Sequence, residues 1–156
     1  MKDNLYLDTS ALVKLYIAEP GSEELQARCH LAEDLILCPL QETELRNAIL
    51  AAGGRGLLNQ ATMRKTLKNL ESDLSAGCYK PHNPDWPLVW QHSNELAAAY
   101  TPKFLCRTLD ILHVAIAKTT DCTCLITGDE RQLALCEAIN LKAERVPGMP
   151  PGTPVS

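Results

Sequence analysis

The sequence predicts an α/β fold, a parallel sheet covered by helices on both faces with short loops at one edge. Three features carry that expectation. Short apolar runs alternate with helical patterns along the chain, so successive strands are joined by crossover helices rather than hairpins. The run from Leu109 to Ala117 is apolar on almost every helical face, which marks a helix buried between other elements. The 156 residues are 46% hydrophobic, enough for one domain to bury a sizeable core.

Taken in order, Asn4 to Leu7 (NLYL) is the first strand, and Asp8-Thr9-Ser10 follow at its carboxyl end. A helix begins there, capped by Asp8 or Ser10, with Ala11, Leu12, Leu15 and Tyr16 as its apolar stripe and Glu19-Pro20-Gly21 as its stop. For Asp8 alone, an N-cap is the commoner role. Ser22 to Ala32 is an amphipathic helix with acids in its first turn, and Leu35 to Cys38 (LILC) is a second buried strand that Pro39 ends. From about Leu40 a helix places Leu45, Ile49 and Ala52 on one face and stops at Gly53-Gly54. Glu44 borders that stripe and looks inward, whereas Glu42 points elsewhere; for either, a solvated first-turn acid is the ordinary reading. Asn59 to Ser75 is a helix with Arg64, Lys65 and Lys68 opposite Leu67, Leu70 and Leu74, a pattern that is usually just a solvated face. Gly77 to Pro87 is a Pro-rich loop with a short extended piece, followed by a helix from Trp86 to Tyr100 capped by Asp85. After the buried helix, Cys122 to Ile126 is a strand that breaks at Thr127-Gly128-Asp129; a helix to Ile139 and a strand from Lys142 to Val146 complete the domain. Residues 1–146 thus form one domain, and the Pro/Gly-rich residues 147–156 are expected to be a disordered tail.

Composition removes several classes. A net charge of −4 argues against a protein that grips nucleic acid by a broad basic surface, so any such contact is local. One Phe, two Trp and four Tyr are too few for a base-stacking platform. Seven cysteines, an odd number without repeated spacing, suit buried thiols in a reducing cytoplasm better than a disulfide framework. No signal-peptide core and no run of membrane-spanning length is present, so no membrane association is expected.

The chemistry lies in the acids. Asp110 sits inside the buried helix, and an ionised carboxylate there needs a cation or several donors. Asp129 follows a strand at the edge where α/β sheets bind ligands, and Asp8 does the same after the first strand. With Glu44 looking inward, four carboxylates converge on one edge, stable as anions only around a hard cation such as Mg²⁺ or Mn²⁺. Phosphodiester hydrolysis is the reaction class that follows. Arg107, one turn before Asp110, is a supporting residue placed to pair with it or to hold a phosphate. His113, on the same helical side as Asp110, is more often a packed core histidine than a general base. Rival classes lack their signatures: no GxGxxG follows the first strand, GGRG at Gly53 lacks the Lys-Ser/Thr of a phosphate loop, and Ser10 stands where a phospho-aspartate enzyme wants an acid.

Four stretches resemble the PIN-domain ribonucleases, and within them the VapC-type toxins of prokaryotic toxin–antitoxin pairs: LDTSALVKLY (Leu7 to Tyr16), ETELRNAI (Glu42 to Ile49), RTLDILHVAIA (Arg107 to Ala117) and LITGDERQLALCEAINL (Leu125 to Leu141). The resemblance implies a doubly wound α/β/α sandwich and a metal-dependent endoribonuclease acting on single-stranded or structured RNA. By motif it implies an acidic quartet of Asp8, Glu44, Asp110 and Asp129 holding Mg²⁺ or Mn²⁺, with Ser10 and Thr127 at hydroxyl positions that line such sites. Glu42 is a rival to Glu44, and Gly128 stands where related chains often carry a bulkier residue. A small antitoxin covering the acidic edge and a homodimer are further implications, the latter joined by leucines between Leu40 and Ser75 beyond what one face needs. The alternative is a PIN-like RNA-docking or protein-interaction module without catalysis, whose mark would be a lost quartet acid; all four are present.

Overall fold

The computed structural model describes residues 1–153. Its elements run β1 (Asn4–Leu7), α1 (Thr9–Tyr16), α2 (Ser22–His30), β2 (Asp34–Leu37), α3 (Pro39–Gly54), α4 (Gln60–Ser75), β3 (Lys80–Pro81), α5 (Trp86–Phe104), α6 (Thr108–Lys118), β4 (Cys124–Thr127), α7 (Glu130–Ala138) and β5 (Ala143–Arg145). The sheet order is β3-β2-β1-β4-β5, and every neighbouring pair is parallel. The chain winds outward from β1 to β3, then returns to lay β4 and β5 on the other side. The expected doubly wound α/β/α sandwich is therefore what forms, and its strand order reverses between β1 and β4, where a crevice opens at the carboxyl ends.

Strand alternation sorts the core into two layers. Tyr6, Ile36 and Leu125 pack with Val89, Leu96, Val114 and Leu135 on the side of α5, α6 and α7. Leu5, Leu7, Leu37, Cys124 and Ile126 pack with Leu12, Leu25, Leu45, Ile49 and Leu70 on the side of α1 to α4. Along α6 every residue from Asp110 to Ala117 is buried, as a helix without a polar face requires. β3 is a two-residue edge strand whose Pro81 needs no ladder donor and blunts the edge.

Two stretches differ from the sequence expectation. α5 runs beyond Tyr100 and through Pro102 to Phe104, because the Tyr100 and Phe104 rings stack at 6.0 Å and anchor the last turn to the core. Leu105, at φ 56°, then closes the helix with its N–H on the Thr101 carbonyl. The chain also continues to pack past Val146. Gly21 and Gly148 both have positive φ, and their loops pass so closely that a Cβ on either would strike the other's backbone. Met149 lies over Gly128 and joins the core, and the Gly152 N–H donates to Glu130 at 3.0 Å. A count of Pro and Gly does not register the burial that one Met gains there. Residues 154–156 of the expected tail lie outside the described residues. Among the described residues no helix is long and apolar enough to cross a membrane.

Candidate active site

Three of the four acids begin helices, and that fixes where they point. Asp8 caps α1: its Oδ1 accepts from the Ala11 N–H at 3.0 Å and from Ser10 Oγ at 2.6 Å. Asp129 caps α7 by accepting from the Arg131 and Gln132 N–H groups. Asp110, in the first turn of α6, reaches back to the Arg107 N–H at 2.9 Å. Capping is thus the local reason for each acid, and the topology brings the three helix starts to the switch-point edge. Positive ends of three helix dipoles favour negative charge there.

Two hydroxyls join the ends of β1 and β4. Thr127 Oγ1 donates to Asp8 Oδ2 at 2.6 Å and accepts from the Asp129 N–H at 3.0 Å. Ser10, while donating to Asp8, accepts from the Gly128 N–H at 3.1 Å. Both are residues singled out in the sequence, and both here fix the geometry of Asp8.

Glu44 is held differently. Its Oε2 accepts from Thr9 Oγ1 at 2.9 Å and lies 2.6 Å from His113 Nε2. His113 is 3% exposed, and its other nitrogen, Nδ1, lies 2.9 Å from the hydroxyl of the fully buried Tyr6. His113 is therefore a core residue with both nitrogens engaged, one of them on a quartet acid. Glu42 turns away into ion pairing with Arg46, which also binds Glu71, so the structure separates it from the edge. His113 is the packed core histidine the sequence suggested, but its contact with Glu44 was not foreseen, and Thr9 and Tyr6 are site contacts that sequence reasoning missed. Their signal was available: a Tyr in a strand buried on both faces and a His in an all-buried helix each need a polar partner.

Burial dominates the electrostatics. Asp8 is 4% exposed, and desolvation raises its pKa above the ordinary carboxylate range despite the hydrogen bonds from Ser10 and Thr127. For Glu44 burial again pushes upward, but the His113 hydrogen bond and charge together with Thr9 outweigh it and leave the pKa lowered; Asp110 is near enough to repel it. Arg107 answers the remaining charge. Its Nε lies 3.2 Å from Asp110 Oδ2, and its Nη2 lies 3.3 Å from Asp110 Oδ1 and 3.0 Å from Asp129 Oδ2. Arg131 stands further off, 3.9 Å from Asp110.

A divalent cation can be tested against this set. Every quartet donor is a hard carboxylate oxygen, the kind Mg²⁺ and Mn²⁺ take. One guanidinium, that of Arg107, bridges buried Asp110 and Asp129. Among the described residues no three His, Cys, Asp or Glu groups converge closely enough to hold one ion. The donor chemistry fits the ion, while Asp110 and Asp129 are engaged by Arg107, whose side chain is 48% exposed.

A five-stranded, all-parallel, doubly wound sheet with buried carboxylates at its switch-point edge places the chain in the α/β class. The chain belongs to the PIN domain family, whose model matches residues 5–138. Ribonuclease VapC35 of Mycobacterium tuberculosis, from strain CDC 1551 / Oshkosh and from strain ATCC 25618 / H37Rv, is 32% identical over 143 residues, covering 88% of this chain and 93% of that protein. The crystal structure of FitAcB from Neisseria gonorrhoeae superposes with a TM-score of 0.64 at 20% identity, covering 89% of this chain and 95% of that one, a likeness of fold.

Proposed function

We propose that this chain is a metal-dependent endoribonuclease that hydrolyses RNA phosphodiester bonds and serves as the toxin of a toxin–antitoxin pair in the cytoplasm. The observation that carries this reading is the bridging of buried Asp110 and Asp129 by one guanidinium in the switch-point crevice, beside Asp8. Similarity to Ribonuclease VapC35 supports RNA as the substrate. Asp8, Glu44, Asp110 and Asp129 would hold Mg²⁺ or Mn²⁺. When bound, such an ion supplies positive charge to the phosphate oxygens and lowers the pKa of a water.

The remaining work falls to the chain. Ser10 and Thr127 orient both oxygens of Asp8, and Thr127 ties that orientation to the backbone of Asp129. The N-termini of α1, α6 and α7 give the crevice a field that suits a phosphate. Arg107, once off the carboxylates, can take a phosphate oxygen through its planar fork. Hydrolysis places a water oxygen on phosphorus and releases the 3′ oxygen as a hydroxyl, leaving a 5′-phosphate on the downstream fragment.

The same charge pattern suits a small antitoxin that inserts an Arg or Lys between the acids, and the place Arg107 occupies supports that mode. Exposed Leu50 and Leu57, at and just after the end of α3, support a homodimer. Calorimetry with Mn²⁺ on wild type and on Asp110→Asn tests the enzyme reading against a catalytically silent docking module. Wild-type binding that Asp110→Asn weakens is expected; the absence of binding that depends on a quartet acid would favour the docking module.

A further inference from the structure

Glu44 lies within α3 rather than at a helix start, so no cap interaction aims it as it does the other three acids. Its side chain is 20% exposed and its carboxylate rides on a flexible three-bond stem, so something must aim it. Two donors do so from opposite walls of the crevice. Thr9 comes from α1, next to Asp8, and His113 comes from α6, one turn after Asp110. Behind His113 lies Tyr6 in the centre of β1, fully buried, with its hydroxyl 2.9 Å from Nδ1. The rings meet edge to face at 5.9 Å.

We propose that Tyr6 and His113 are positioning residues: a buried relay of hydrogen bonds, Tyr6 Oη–H to His113 Nδ1 and His113 Nε2–H to Glu44 Oε2, that fixes the Glu44 carboxylate toward the other quartet acids. The inference rests on the metal reading of the site. The chemistry selects the direction of the relay. Glu44 as a carboxylate only accepts, so Nε2 must carry a proton; in the neutral imidazole Nδ1 is then the acceptor, and the Tyr6 hydroxyl donates to it and holds the ring from behind. Cys38 Sγ, 4.0 Å from the Tyr6 oxygen, is too distant and too weak an acceptor to draw that proton away. With Nε2 spent on Glu44 and Nδ1 on Tyr6, His113 has no free nitrogen for substrate. It acts through Glu44, as partners behind a metal-ligating carboxylate do elsewhere.

Mn²⁺ calorimetry on the full chain tests this, with melting temperature followed in parallel. His113→Leu should weaken Mn²⁺ affinity about 10- to 100-fold. His113→Gln, which keeps an N–H aimed at Glu44, should restore most of it. In a double-mutant cycle, His113→Leu added to Glu44→Gln should cost nothing further. Tyr6→Phe keeps the ring and removes only the hydroxyl; it should weaken Mn²⁺ affinity measurably, by less than His113→Leu does, while ¹⁵N spectra still show Nε2–H, since Glu44 remains its acceptor. Wild-type affinity in folded His113→Leu, or full additivity in the double mutant, overturns the relay while leaving the metal reading standing. Should His113→Leu fail to fold, Tyr6→Phe decides, and wild-type Mn²⁺ affinity there overturns the relay. Wild type that binds no Mn²⁺ overturns both.

Discussion

Thr127→Val isolates the bridge between the two strand ends. The substitution keeps the shape of a fully buried side chain and deletes one oxygen that serves two partners. The hydrogen bond lost to the Asp8 carboxylate is of the charge-assisted kind, worth about 1.5–3 kcal/mol, and the Asp129 N–H left without it costs about 1–3 kcal/mol more. Two effects reduce that sum. Valine's added methyl gains about 1 kcal/mol by burial. Asp8, whose pKa burial already raises, can also take up a proton and shed the cost of an unpaired charge. The net loss is then about 2–4 kcal/mol, which for a chain of this size lowers Tm by roughly 5–15 °C. Urea and thermal unfolding at neutral pH measure it directly, with Thr127→Ser as the control that retains both hydrogen bonds. If Thr127→Val lies within about 0.5 kcal/mol of wild type, Thr127 does not hold the two strand ends together as described.

Three further outcomes follow from other parts of the molecule. Asp3 has its pKa lowered to about 2, chiefly by Lys142 with help from Thr123 and Arg28. Because the folded value lies below the unfolded one, the stability this group contributes is present above about pH 4 and is lost as pH falls through about 2. The gap in urea midpoint between wild type and Asp3→Asn should therefore be constant above pH 4 and shrink on acidification; a gap that widens below pH 4 would refute it. Glu42→Gln, which removes only a surface pair with Arg46, should change stability by about 0.5 kcal/mol or less and leave RNA cleavage intact, while Glu44→Gln should cut cleavage sharply. Light scattering at micromolar concentration should give twice the chain mass, and monomer alone would refute the homodimer.

Much of this architecture was legible in the sequence because its strongest signals are one-dimensional. A helix with no polar face can only lie between layers, and the chain places α6 there. Short apolar strands followed closely by Asp declared the ligand edge and, at Asp8, the cap of α1, whereas the capping of α7 by Asp129 emerged only in the structure. The run of α5 through Pro102 was hidden, since a stacked Tyr100–Phe104 pair overrides a local helix breaker. The docking of Met149 over Gly128 was hidden for the same reason: it depends on a neighbour 21 residues away along the chain. At the site, sequence spacing singled out the acids, yet it could not show that Arg107 would link Asp110 to Asp129, two residues 19 positions apart. Nor could it pair His113 with Tyr6 and Glu44, which come from three separate elements. Polar partnerships across elements are set by topology, and periodicity carries no record of them.

The most direct test of the account is cleavage of total RNA by wild type and by Asp110→Asn, each with Mg²⁺ or Mn²⁺ and with excess EDTA, followed by mapping of the new ends. The account predicts discrete cuts that leave 5′-phosphates, their loss in EDTA with recovery on adding the metal back, and a fall of about 100-fold or more in a folded Asp110→Asn. Equal cutting by wild type in EDTA, or near wild-type cutting by Asp110→Asn, would contradict it.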